Sequence, residues 1–295
     1  MITHKKLFLV LFLSLFLSAC STKSQDTITV ASKDFTESII VGELYKQALE
    51  GAGIKVKHQK ALGASKILLA AIESGEVDII SEYTSTGVTV ILNESPEFDP
   101  DKAYAIAKEG YEKKYAATWL NMSGLNNSQC IAVTDSISKS LNFTKLSELP
   151  EKAGNIRFAA TAEFEERDDG LKGLRDRLGS IEFEDITIFD KGIKYEVLRN
   201  GEADMNVCFT TDADLAKGDI IHIEDDIQFW PPYHLAPVVS LETLEKHPEI
   251  EDILNKISDN LTTESIQVLN AQVDIDGLEY DVVAHDALQS WGLLP

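Results

Sequence analysis

Gly75-Glu76-Val77-Asp78 followed by Tyr83-Thr84, and Gly201-Glu202-Ala203-Asp204 followed by Phe209-Thr210, are one phrase written twice in this chain. In both, the aromatic falls five residues after the aspartate. Upstream of each lies an apolar run with strand character: Ile28 to Ala31 before Asp34-Phe35-Thr36-Glu37, and Ile156 to Ala159 before Glu163-Phe164-Glu165-Glu166. The repetition therefore spans half a domain each time and predicts two similar α/β lobes. Each lobe ends a strand on an aromatic beside a hydroxyl. Rings from both sides are expected to line a cleft between the lobes, as in a receptor for a small solute.

The N-terminus points to a compartment. His4, Lys5 and Lys6 precede an apolar run from Leu7 to Leu17, too short for an ordinary membrane span, so residues 1–19 read as a signal peptide. Leu17-Ser18-Ala19-Cys20 fits the lipoprotein cleavage pattern, in which small residues precede a cysteine that becomes the lipidated start of the mature chain. A diacylated Cys20 buries enough CH₂ groups for stable anchoring, where one acyl chain is marginal. Residues 20–26 are then lipidated cysteine and polar linker. The expected location is extracytoplasmic, anchored to the membrane at a cell surface or in a periplasm.

The rest of the 295-residue chain suits two lobes. The formal net charge of −22 argues against nucleic acid as a partner. Besides Cys20 there are only Cys130 and Cys208, with no neighbouring ligands at metal-binding offsets. They are open to two readings, a disulfide or two thiols packed as small hydrophobes. His58, His222, His234, His247 and His285 show no HExxH or paired spacing, and no phosphate-cradling glycine loop occurs. Ser136-Ile137-Ser138-Lys139 matches the serine-x-x-lysine pattern of penicillin-recognising enzymes, but the lysine-threonine-glycine partner is missing. The acidic run Glu163, Glu165, Glu166, Asp168, Asp169 reads as a solvated face. No metal, cofactor or catalytic activity is expected.

Periodicity orders the remainder. Helices are predicted over Ile39 to Leu49, Ser65 to Glu73 and Ala103 to Tyr115, with strands at Val56 to His58 and Val77 to Ser81. Further strands are expected at Cys130 to Thr134, Ile156 to Ala159, Ile186 to Phe189, Ala203 to Cys208 and Leu235 to Ser240. Trp230-Pro231-Pro232-Tyr233 breaks strand pairing and marks a boundary. Four helices follow it, ending near Trp291. The chain thus leaves lobe one (27–129 plus 234–295) and returns to it after lobe two (130–233), giving two hinge crossovers.

These residues resemble the substrate-binding lipoproteins of ABC importers for glycine betaine, carnitine, choline and related osmoprotectants, over nearly all of the mature chain. The motifs are Ser32-Lys33-Asp34-Phe35-Thr36-Glu37, Gly42-Glu43-Leu44-Tyr45, Glu82-Tyr83-Thr84-Ser85-Thr86-Gly87 and Asn126-Asn127. To these add Glu163-Phe164 with Arg167 and Asp169-Gly170, Thr210-Thr211-Asp212, and Pro231-Pro232-Tyr233. The resemblance implies an α/β two-lobe periplasmic-binding-protein fold (type II, Venus-flytrap), working with an ABC permease and ATPase.

It also implies a cage of rings around a quaternary ammonium, which has no N–H to donate and is recognised by π faces at ~0.5–2 kcal/mol per ring. On matching positions the rings are Tyr83, Phe209 and Tyr233, with phenylalanine where tyrosine is usual at Phe209. The family's fourth ring is replaced by Gln129, in Asn126-Asn127-Ser128-Gln129, and Ser38 stands where glutamine is common. Thr86 and Ser128 are further polar candidates, and Asp34 is expected to balance the cation. Arg167 either forks a ligand carboxylate or pairs with Asp168, Asp169 or Glu166. Alternatives are another solute class, an amino acid or an aromatic betaine such as ergothioneine, and a ligand-sensing lipoprotein without transport.

Overall fold

The computed structural model of the chain describes residues 27–189 and 193–295. The expected signal peptide, Cys20 and its linker fall in 1–26 and lie outside the described residues, as do 190–192. Two five-stranded mixed sheets organise the molecule. The first contains β1 (Thr27–Ala31), β2 (Lys55–Gln59), β3 (Ile79–Tyr83) and β4 (Ala117–Trp119). The second contains β5 (Gln129–Thr134), β6 (Arg157–Ala160), β7 (Asp185–Ile188), β8 (Met205–Phe209) and β9 (Ile220–His222). A last strand, β10 (Leu235–Ser240), returns to the first sheet.

The strand orders are β2-β1-β3-β10-β4 and β7-β6-β8-β5-β9, the same pattern twice. In each sheet three strands run parallel, and the strand that enters from the other lobe, β10 or β5, lies antiparallel to the third. This is the two-lobe architecture expected. The duplicated phrase has a structural cause. Gly75 and Gly201 both take φ +69, a left-handed turn that costs glycine little. The aspartate three residues later then ties its strand to the parallel neighbour. Asp78 accepts from Thr29 N at 2.7 Å, and Asp204 accepts from Arg157 N at 3.0 Å. Asp204 also takes the Arg157 guanidinium, at 2.9 and 2.8 Å.

Both faces of the first sheet are covered. Ile79 and Val239 pack into one apolar cluster while Ile80 and Val238 pack into the other, which is why these strands read as continuous apolar runs. The helix Thr36–Gly51 buries Ile40, Val41, Leu44, Tyr45 and Leu49 against the first face. Its Gly42-Glu43 pair has a packing role. A side chain at 42 would collide with the His58 ring, and Glu43 holds that ring through His58 Nδ1 at 2.9 Å, with Lys60 at 3.0 Å.

The chain crosses between lobes twice, and the two crossings bond to each other. Asn127 N donates to Tyr233 O at 3.0 Å, Asn126 Oδ1 accepts from Tyr233 N at 2.7 Å, and Leu235 N donates to Leu125 O at 3.1 Å. The Pro231-Pro232 break is stitched to lobe one, since Pro232 O accepts from Thr84 Oγ1 at 2.9 Å and Ser85 Oγ at 2.7 Å. Trp230 packs into the lobe-two core, its indole N–H on Asp169 O at 2.9 Å. Cys130 and Cys208 sit opposite one another on β5 and β8 and form a disulfide, resolving the two readings. Closing so long a loop stabilises the fold by about 4 kcal/mol in the chain-entropy account.

Glu43 titrates far from its ordinary value. Burial pushes its carboxyl up, but His58, Lys60 and Lys46 outweigh that and lower it from 4.5 to about 2. A depressed folded-state value stabilises fully above the unfolded value and is lost as pH falls through the folded one. We expect Glu43→Gln to cost about 2 kcal/mol near pH 7 in urea unfolding and progressively less as the pH is taken from about 4.5 towards 2. A deficit that does not shrink in that window would contradict the pairing.

Candidate functional site

Tyr83 is the last residue of β3 and Phe209 the last of β8, so equivalent strand ends place a ring from each lobe at the same level. Opposite them, across the antiparallel pairs, stand Leu235 and Gln129, the first residues of the two crossing strands. The rings therefore sit beside the hinge. Between the lobes is a cavity of ≈ 630 Å³ lined by Tyr83, Phe209, Tyr233, Gln129 and Arg167, five of the residues picked out from sequence. Asp34, Thr86 and Ser128 are not on its wall. Asp34 is exposed at the turn before the helix. Thr86 closes the short helix Thr84–Thr86, where the neighbouring Thr84 and Ser85 hydroxyls serve Pro232. Ser128 is buried, its N–H on Thr210 Oγ1 at 3.0 Å.

Several lining residues were not foreseen as ligand groups: Phe35, Glu37, Asn127, Phe164, Lys194, Asp212 and Asn270. Phe35 comes from the loop after β1 and stacks on Tyr83, centroids 6.5 Å apart and planes 25° from parallel. Tyr83 is also held by Lys33, whose ammonium lies 4.7 Å from the ring centroid and forms a buried ion pair with Glu82 at 2.6 Å. Phe35, Glu37, Asn127 and Asp212 all lie inside the motifs quoted above, so a signal for them existed. Asn270 had none. It arrives from the helix Thr263–Asp274 and donates to Thr211 O at 2.9 Å.

Glu37 is the junction of these segments. It is 2% exposed and accepts from Tyr83 OH at 2.5 Å and Asn127 Nδ2 at 3.1 Å. Burial raises its pKa, and the Tyr83, Thr211, Asn127 and Asn270 side chains pull it back without cancelling the effect. Burial and the neighbouring Glu37 carboxyl push the Tyr83 phenol well above its usual range, so it remains a neutral donor. On the lobe-two wall the cations are already engaged. Arg167 forks onto Asp169 at 2.5 Å through both Nε and Nη2, and Gln129 Nε2 reaches the same carboxylate at 2.9 Å. Lys194 pairs with Asp212 at 2.5 Å and lies 5.7 Å from the Phe209 ring centroid. No cluster of His, Cys, Asp and Glu able to hold a metal occurs among the described residues, and no helix among them is long and apolar enough to cross a membrane.

Rings on two lobes around one cavity, with a hinge beside them, define a two-lobe solute-binding architecture. The chain belongs to the family described as the substrate binding domain of ABC-type glycine betaine transport systems, whose model matches residues 26–290. It is 32% identical to the carnitine transport binding protein OpuCC of Listeria monocytogenes, over 96% of this chain and 95% of that protein. It is 28% identical to the ergothioneine transport permease/ergothioneine binding protein EgtU of Helicobacter pylori, over 97% of this chain and 52% of that protein. A solved glycine betaine/carnitine/choline ABC transporter structure superposes with TM-score 0.86 at 28% identity, covering 90% of this chain and 99% of that one. The role of this family is substrate binding for ABC-type transport, alongside permease and ATPase subunits.

Asp212 is the keystone of the lobe-two lip. Its Oδ2 accepts from Lys194 Nζ at 2.5 Å, Tyr195 OH at 2.6 Å and Phe209 N at 2.9 Å. Asp212→Ala releases an ammonium into the cavity and frees the Phe209 turn. The expected result is at least about tenfold weaker binding of a cationic solute by calorimetry. Unchanged affinity would show that the lip does not depend on this carboxylate.

Proposed function

We propose that this chain, anchored through lipidated Cys20, captures a quaternary-ammonium osmoprotectant of the glycine betaine, choline and carnitine type between its lobes. The solute is then delivered to an ABC permease. The observation that carries this reading is the convergence of Tyr83, Phe209 and Tyr233, joined by Phe35, on one cavity that also presents the carboxyl groups of Glu37, Asp212 and Asp274. A methylated cation offers no hydrogen bond and is held by ring faces and a negative surround. A bound solute favours the closed arrangement of the lobes by the difference in its affinity for closed and open forms, and the permease reads that closure. The anchor is supported by the Leu17-Ser18-Ala19-Cys20 sequence.

A second reading, a ring-bearing betaine such as ergothioneine, is favoured by Gln129 on the cavity wall where the family has a ring and by the space available. Calorimetry against glycine betaine, choline, carnitine, ergothioneine and plain amino acids separates the two. In either case Tyr83→Ala and Tyr233→Ala are each expected to weaken binding by about tenfold, within the roughly 2- to 30-fold that ~0.5–2 kcal/mol per ring corresponds to. Ser136→Ala, far from the cavity in the helix Asp135–Leu141, is expected to change nothing. Unaltered affinity in both tyrosine variants would overturn the cage.

A further inference from the structure

The cavity is unevenly equipped with hydrogen-bonding groups. Its charged and amide donors on the lobe-two side are taken: Arg167 and Gln129 by Asp169, and Lys194 by Asp212. On the other side the reverse holds. Nine buried side-chain polar atoms lack a hydrogen-bond partner among the described residues, and three of them belong to residues of this cavity: Glu37 Oε2, Asn127 Oδ1 and Asn270 Oδ1. All three are acceptors. The amide orientations follow from chemistry. Asn270 Nδ2 faces Thr211 O and Asn127 Nδ2 faces Glu37 Oε1, both acceptors, which leaves each amide oxygen turned elsewhere. Thr211 and Asn270 stand close enough to Glu37 to favour its ionised form, yet neither meets Oε2 in hydrogen-bonding geometry.

A trimethylammonium head cannot satisfy these atoms, because it carries no N–H or O–H. A carboxylate cannot either, and it would place a second anion against Glu37. Buried acceptors left without partners are costly, so a solute that supplies a donor is strongly preferred over one that does not. Resting on the quaternary-ammonium reading above, we propose that the solute also carries a hydroxyl or N–H donor. Glu37 Oε2, with the amide oxygens of Asn127 and Asn270, forms the subsite that receives it. Glu37 is thereby a specificity-determining residue: the rings hold the cation, and the carboxylate selects which cation.

The test uses solutes that differ only by the donor, titrated calorimetrically into the whole protein: choline against n-propyltrimethylammonium, and carnitine against γ-butyrobetaine. In a pair that binds, the hydroxylated member is expected to be at least about tenfold tighter. Glu37→Gln turns an amide donor towards the solute, because its oxygen must still serve Tyr83 and Asn127. The preference is then expected to fall to within about threefold. Equal affinities within both pairs in the unaltered protein, or glycine betaine tighter than choline, would overturn the donor subsite while leaving the ring cage standing. Both of those outcomes are read in the unaltered protein, so a Glu37→Gln variant that misfolds does not shield the proposal. Absence of binding by every trimethylammonium compound would instead remove the cage, and the subsite with it.

Discussion

Everything at this site depends on how the returning strand enters each sheet. β10 and β5 run antiparallel to the strand that ends on a ring, so the first residue after each crossing is paired with that ring's backbone: Leu235 with Tyr83, Gln129 with Phe209. A parallel entry would have put the crossing at the far end of the sheet. Antiparallel entry brings hinge and rings to the same edge, so a small rotation between lobes changes the distance between Tyr83 and Phe209 directly. The bonds between the two crossings, such as Asn127 N to Tyr233 O, make the hinge a paired ribbon rather than two independent linkers.

The second constraint is electrostatic. A chain with net charge −22 has no shortage of carboxylates, but those at the cavity are arranged rather than merely numerous. Asp169 and Asp212 occupy the cations that line the cavity, and Glu37 is buried where lobe one, the first crossing, Thr211 of lobe two and the C-terminal helix Thr263–Asp274 meet. That helix also reaches lobe two through Gln267 Nε2 to Thr210 O at 2.7 Å. On the function proposed, a cation entering the cleft meets a network already shared by both lobes. Burial disfavours the charged form of Glu37, and a solute cation favours it, so the solute and the network stabilise each other.

Most of the architecture was legible in sequence because the central strands of both sheets are covered on two faces. Those strands stand out as apolar runs, and the repeated glycine-acid-x-aspartate phrase marks equivalent turns. The strands Ala117–Trp119 and Ile220–His222 were not foreseen, being three residues long and defined by a partner strand remote in sequence. At the site, residues at strand ends and at the Pro-Pro-Tyr break were legible, since such places have backbone reasons to face a cleft. Asp34, Thr86 and Ser128 show the limit of adjacency: Asp34 and Ser128 each neighbour a lining residue in sequence and Thr86 lies three residues past Tyr83, yet none of the three is on the cavity wall. Phe35 and Glu37 sat inside the same motif as Asp34, and only the path of the chain out of β1 decides which of them faces inward. Asn270 depends on docking of a distant helix, which no local pattern records. The pairing of Cys130 and Cys208 was open until the register of β5 on β8 placed them opposite each other.

The most direct test of the central claim is a structure of the protein with a bound trimethylammonium solute. The account predicts the quaternary nitrogen within about 6 Å of the ring centroids of Tyr83, Phe209 and Tyr233 together. A solute bound elsewhere, or one touching rings of a single lobe, would contradict it.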